Sequence, residues 1–258
     1  MLRNCILALL EQPEATLADI PRLFADQTYR RTVAQNVSNE QVRNFWLQEY
    51  ERYGERLRAE AISPVQNKVG AFLSDPILQR ILLKPKSSFD LRDVMDHRKI
   101  LLVNLSKGRI GGDASALLGA LLVSRIGLAA MSRADVRESE RPDFHLFLDE
   151  FQTYATQSLA SMLSELRKYH LCLVLGQQFL SQTDQPVRDA ILGNVGTIIA
   201  FRVGALDAEL LELEFKPEFL ARDLVALPNY SIYLKLMVDG IVSRPFSAET
   251  TAAGCERS

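Results

Sequence analysis

The amino-acid sequence predicts an α/β fold in which a helical region precedes a mostly parallel sheet, covered by helices on both faces and finished by an antiparallel hairpin. Three observations predict it. Residues 1–95 contain no convincing strand, short β-rich apolar runs alternate with helical stretches from Lys99 onward, and Asp239-Gly240 separates two further apolar runs near the end. The middle runs are apolar throughout instead of alternating with polar residues, the pattern of strands buried on both sides.

In the helical region, "VSNEQVRNFWLQEYERYGERLRAEA" sets Phe45, Trp46 and Tyr50 at helical spacing with charge on the other faces. Ser38 followed by Gln41 matches a capping box and predicts a helix start near residue 39. Pro64 and Pro76 predict breaks between shorter helices. Strands are then predicted at 99–105 ("KILLVNL"), 144–148 ("FHLFL"), 171–175 ("LCLVL") and 197–203 ("TIIAFRV"), with helices at about 113–131 and 156–169. The second of these helices places Leu159, Met162, Leu163, Leu166 and Tyr169 on one apolar face. The expected division is a helical region at 1–95, an α/β part at 96–250 and a disordered tail at 251–258.

Composition excludes several classes. A chain of 258 residues with 47% hydrophobic and 24% charged side chains has material for a sizeable core. Its net charge of -2 supplies no global field for nucleic acid, so any DNA contact rests on local patches. Cys5, Cys172 and Cys255 are odd in number and far apart, which argues against a disulfide framework or a zinc site. His97, His145 and His170 show no metal-like clustering and read as structural. The start lacks the features of a signal peptide. The most apolar helix, 116–131, is interrupted by Ser124 and Arg125 and is shorter than the roughly 20 residues a bilayer needs, so it reads as a core helix and no transmembrane segment is expected.

Ligands of open parallel sheets sit at the carboxyl ends of the strands. There the sequence concentrates polar groups: Asp149-Glu150 after one strand, Gln177-Gln178 after another, Ser106-Lys107 after a third. In a nucleotide-hydrolysing site the Asp holds magnesium, the Glu polarises the attacking water, and a Gln on the neighbouring strand senses the γ-phosphate. The plainer reading of an acidic pair is the end of an apolar strand. What favours the functional one is the compact βαβ unit that carries both polar groups to one edge. For "SKGRIGGD" the plainer reading weighs more: glycines give a tight turn and Asp113 caps the helix, although Lys107 and Arg109 are placed to meet phosphates.

Taken in succession, "KILLVNLSKGRIGGDASALLGALLVSRI", "FHLFLDEFQTYAT", "LSELRKYHLCLVLGQQFLSQ" and "ILGNVGTIIAFRVGALDAELLELEF" resemble the FtsK/HerA branch of P-loop ATPases, particularly type IV secretion coupling proteins of the TraG/TraD kind. The resemblance covers about residues 60–248. It implies a RecA-like core, ATP and Mg2+ as ligands, and a hexameric ring that moves DNA, with secretion-system or relaxosome proteins as further partners. It implies Asp149 and Glu150 as the Walker B pair, Gln178 as the sensor, and a cytoplasmic location, at the inner face of the membrane in the full-length protein. A ring also needs an arginine in trans, for which Arg202 and Arg167 are candidates. Arg202 is preferred, because a charge in an apolar strand requires a partner; the structural alternative pairs it with Asp207. Arg167 has its own alternative as a cation at a helix C-terminus.

One motif is missing. Nowhere does the chain contain G-x-x-x-x-G-K-[ST], whose amides and lysine cradle a triphosphate. In "GRIGGDAS" Asp113 stands where the lysine belongs. The expectation is therefore the carboxyl-terminal part of a longer motor, or a truncated reading frame, inactive alone. The alternative is a non-hydrolysing adaptor that keeps the fold's interaction surfaces.

Overall fold

The computed structural model describes residues 1–251, without the side chains of residues 157–159 and 161. The expected apolar position of Leu159 and the expected tail from residue 252, with Cys255, lie outside the described residues. Two compact units are present: residues 1–90 with 106–114, and residues 91–105 with 115 onward.

The first unit is helical: α1 (Leu2–Leu10), α2 (Asp19–Ala25), α3 (Gln27–Gln35), α4 (Glu40–Asn44), α5 (Glu55–Ser74) and α6 (Pro76–Leu82), with a π-helical turn at Phe45–Glu49. The helical spacing of Phe45, Trp46 and Tyr50 turns these rings into one cluster with Phe24, the Trp46 and Tyr50 centroids 5.3 Å apart. Arg30, 3% exposed, is satisfied by the carbonyls of Leu23 and Phe24 and by Glu51 at 2.8 Å. Two local expectations are corrected. The cap of α4 is Asn39, whose Oδ1 accepts from the amides of Gln41 and Val42, while Ser38 donates its amide and hydroxyl to Glu11. Pro64 sits inside α5 without ending it, whereas Pro76 opens α6 as an N1 proline.

The 106–114 segment of the first unit forms a one-turn helix α8 (Lys107–Ile110), stopped at Gly111 with φ 82°, a backbone angle that glycine tolerates. A short helix α7 (Leu91–Asp96) precedes it in sequence, in the second unit. Then follows α9 (Gly112–Met131). By length and composition alone the stretch Gly112–Asp135 is apolar enough to cross a membrane. Here Val123, Ile126 and Ala130 are buried in the core of the second unit. Gly119 and Gly127 allow the close approach: a Cβ on Gly119 would fall within the Tyr154 ring, and one on Gly127 would lie 2.8 Å from Met162 Sδ.

The second unit holds β1 (Phe144–Leu148), α10 (Gln157–Leu166), β2 (Leu171–Leu175), α11 (Gln185–Asn194), β3 (Ile198–Ala200), α12 (Ala205–Phe215), α13 (Ala221–Val225) and β4–β7 (Ser231–Lys235, Met237–Val238, Ile241–Val242, Phe246–Glu249). β1 and β2 pair in parallel, with Phe144 opposite Leu171 and Leu148 opposite Leu175, as the βαβ pattern predicts. The hairpin also forms: Asp239 and Gly240 both have positive φ, as a type I′ turn requires.

The α/β class stands, but the sheet is less parallel and less covered than expected. Among the described residues β1–β2 is the one parallel pair, and β3 joins β4 and β7 antiparallel. Residues 99–105 form no ladder; their apolar side chains give strand propensity, but a ladder needs a neighbouring edge. Among the described residues, helices do not cover both faces of β1–β2. Phe144, Leu146 and Leu148 pack against the core, whereas Phe147 is 71% exposed and its partner Val174 47%.

Candidate functional site

The polar cluster at the carboxyl end of the parallel pair is assembled by the register itself. Leu148 opposes Leu175, so Asp149-Glu150 and Gly176-Gln177-Gln178 leave the sheet side by side. The ladder continues one step beyond the strands: the Gly176 amide donates to Leu148 O at 2.8 Å and the Phe151 amide to Gly176 O at 2.9 Å.

At Glu150 the chain turns with φ 51° and ψ 43°, a left-handed conformation that costs a non-glycine residue on the order of 1 kcal/mol. The turn folds the side chain back, where Gln178 Nε2 donates to Glu150 Oε1 and Gln152 Nε2 to Oε2, each at 2.6 Å. Both carboxylate oxygens are thus aimed by neutral amides, and each retains acceptor capacity for one further proton donor. Asp149 is exposed; its Oδ1 accepts from the Glu150 amide at 3.0 Å. A single outward carboxylate completed by water and phosphate oxygens suits Mg2+, which keeps several waters. No group of three or more His, Cys, Asp or Glu side chains fit for a metal occurs among the described residues.

The loop after Gln178 is tied down from below. Asp207, 3% exposed on α12, accepts the amides of Leu180 at 3.0 Å and Ser181 at 2.8 Å. Gln177 turns the other way and accepts from the Thr183 hydroxyl at 3.3 Å. Sequence reading missed Gln152 and Asp207 in these positions. Gln152 was discoverable as an amide two residues past the acidic pair. Asp207 enters the sequence reading only as the structural alternative partner of Arg202, and its role toward the loop amides was not read. Arg202 lies beyond β3, exposed, and forms no ion pair or hydrogen bond among the described residues.

Two further predicted residues lie on other elements. Arg167 precedes β2, at the end of the parallel pair opposite Glu150. Lys107 lies exposed on α8 in the first unit. Of the histidines, His170 pairs with Asp143 at 2.7 Å and His97 with Asp93 at 2.9 Å.

A family model described as the type IV secretion-system coupling protein DNA-binding domain matches residues 1–209. The chain belongs to this family. Among solved structures, the unbound bacterial conjugative coupling protein TrwBdeltaN70 is similar at 16% identity and TM-score 0.62, over 97% of this chain and 68% of that one. The plasmid coupling protein TrwB in complex with ADP and Mg2+ matches at 17% identity and TM-score 0.62, over 98% and 69%. The same protein with the non-hydrolysable GTP analogue GDPNP matches at 17% and 0.61, over 96% and 68%. No curated protein matches. These likenesses establish the RecA-like coupling-protein fold for a chain that spans about two thirds of those relatives.

Proposed function

We propose that this chain is the carboxyl-terminal portion of a ring-forming, DNA-translocating ATPase of conjugative transfer, and that it supplies the water-activating half of the nucleotide site. The observation that carries the reading is Glu150, held in a strained turn with both oxygens aimed by Gln178 and Gln152. A carboxylate fixed this way is positioned to take a proton from water, and Gln178 links its orientation to whatever occupies the end of β2. Asp149 is the residue to hold Mg2+ through water; when bound, Mg2+ and ATP supply the charge neutralisation and the phosphoryl group. The TrwB complexes with GDPNP and with ADP and Mg2+ support such ligands.

Arg202, exposed and without a partner among the described residues, suits an arginine offered to a neighbouring subunit. Arg167 serves the ring only from another subunit, given its place at the far end of β2. Lys107 is assigned to phosphate contact, of nucleotide or DNA. The family description supports DNA as partner; the working location is the cytoplasmic side of the inner membrane, beside secretion-system proteins.

The test is Glu150→Gln in the chain joined to a phosphate-binding segment. DNA-stimulated ATP turnover should disappear while nucleotide binding persists, and unchanged turnover refutes the assignment. The 258-residue chain alone should hydrolyse nothing. One observation favours the adaptor instead: the absence of G-x-x-x-x-G-K-[ST] from these residues. In that case Glu150→Gln leaves DNA transfer intact.

A further inference from the structure

The loop that follows β2 has its amides satisfied one after another. Leu180 and Ser181 donate to the buried carboxylate of Asp207, Gln182 to Phe179 O at 3.4 Å and Thr183 to Leu180 O at 3.1 Å. Leu180 and Thr183, 5% and 4% exposed, fix it from beneath. One large side chain does not join this packing. Phe179, in extended backbone between Gln178 and Leu180, leaves its ring 48% exposed. The Asp207 tie also brings the start of α12 to this loop, and just before that helix Phe201 follows β3 with 53% of its surface exposed. One of these two bare rings comes directly after the glutamine that bonds Glu150.

Leaving an aromatic ring in water forgoes the stability that its burial would give, and the loop itself is already held without it. Phe has only two side-chain torsions, so on a fixed loop it is ordered at small entropic cost when a partner lies against it. Charge narrows the chemistry of that partner. A net charge of -2 supplies no global attraction for phosphates, so affinity for nucleic acid needs a contribution besides charge. Stacking of unpaired bases on aromatic rings is such a contribution, and it tolerates any sequence because every base has a π-face. The match to a coupling-protein DNA-binding domain, residues 1–209, includes both rings.

We propose that Phe179 is a stacking platform for an unpaired base of single-stranded DNA. The proposal rests on the DNA part of the function given above and not on ATP hydrolysis. Because Phe179 follows Gln178 in one short anchored loop, a base on the ring and a ligand at Gln178 bear on the same piece of backbone.

The test uses the full 258-residue chain without nucleotide. Binding of a thymidine oligonucleotide is measured over a range of salt for the native chain and for Phe179→Ala. Affinity should fall about five- to a hundredfold, the range for losing one base–aromatic stack, while the slope of affinity against salt stays the same because no phosphate contact is removed. Phe179→Trp should keep most of the affinity and report the contact directly. Trp46 is the one tryptophan of the chain and is buried, so quenching by the oligonucleotide comes from the introduced indole. An abasic strand of equal length should leave the emission unchanged. Equal quenching by the abasic strand overturns the proposal, since the contact is then with the sugar-phosphate backbone. Unchanged affinity in Phe179→Ala overturns it while the DNA reading stands; a native chain that binds no oligonucleotide overturns both. Quenching by ATP alone, or emission that shifts with protein concentration before DNA is added, gives the ring to a nucleotide or to a second copy of the chain, and either result overturns the proposal.

Discussion

The two units solve the same problem with different success. In the first, Trp46, Tyr50, Leu23 and Ile20 are at most 1% exposed, and a single aromatic cluster holds the helices together. In the second, Ile100 and Leu102 are 89% exposed, Phe147 71% and Ile199 55%. The difference follows from what each element needs. A helix satisfies its backbone internally and must bury one stripe, which neighbouring helices in the same stretch of chain can supply. A strand needs a partner on each edge and cover on each face, and those partners come from distant sequence. The helical unit buries its central aromatic cluster, while in the sheet unit apolar side chains of β1, β2 and β3 stay exposed.

Truncating the closed core is the strongest way to test the contrast. Trp46→Ala should cost the first unit about 3–5 kcal/mol, because the indole is fully buried among Phe24, Phe45 and Tyr50. Since Trp46 is the one tryptophan in the chain, the unfolding is followed by circular dichroism in denaturant. A change below 1 kcal/mol, an estimate at the low end for buried side chains, would mean the first unit is as loosely closed as the second.

Within the second unit the buried tie is Asp207. Asp207→Ala removes the acceptor of two loop amides and should cost about 1–3 kcal/mol, while loosening the turn after Gln178. Heteronuclear NMR at Leu180 and Ser181 reads the second effect, and unaltered amides there refute the anchoring role. Phe147→Ala, on the bare face, should change stability by no more than about 0.5 kcal/mol. A larger loss implies that the face is already covered in solution.

What the sequence disclosed follows the same division. Local signals were readable: the helical spacing of Phe45, Trp46 and Tyr50, the Asp239-Gly240 turn, and the register that brings Glu150 to Gln178. Signals that depend on distant partners were not. "KILLVNL" and "TIIAFRV" have the composition of sheet-core strands, yet residues 99–105 form no ladder and β3 turns antiparallel to β4, because composition records propensity and not which edge is free. The structural alternative that pairs Arg202 with Asp207 is not the one formed: the buried carboxylate accepts two backbone amides instead. The α4 cap shifted from Ser38 to Asn39 because Glu11, remote in sequence, captured the serine.

That capture provides the smallest and most discriminating test. Glu11 Oε2 accepts the Ser38 amide at 2.7 Å and its hydroxyl at 2.8 Å, and these bonds, the amide first, hold the carboxyl below its ordinary value of 4.5. Folded Glu11 binds its proton less readily than the unfolded chain does, so between those two values the unfolded state carries more protons. The contribution is therefore complete above pH 4.5 and is lost as the pH falls through the lowered folded value. The site is exposed, so the loss is small and appears in the first unit's transition and not in the second's. Glu11→Gln keeps an oxygen acceptor but removes this titration, and should make the first unit's acid slope slightly shallower, the rest being carried by Asp26 and Glu51, while leaving the second unit's acid dependence unchanged. Parallel acid slopes for wild type and variant would show that Ser38 takes no stability from the charge. A shift in both transitions would show that the units do not unfold independently, and the contrast between a closed helical core and an open sheet would then have to be drawn within one cooperative structure.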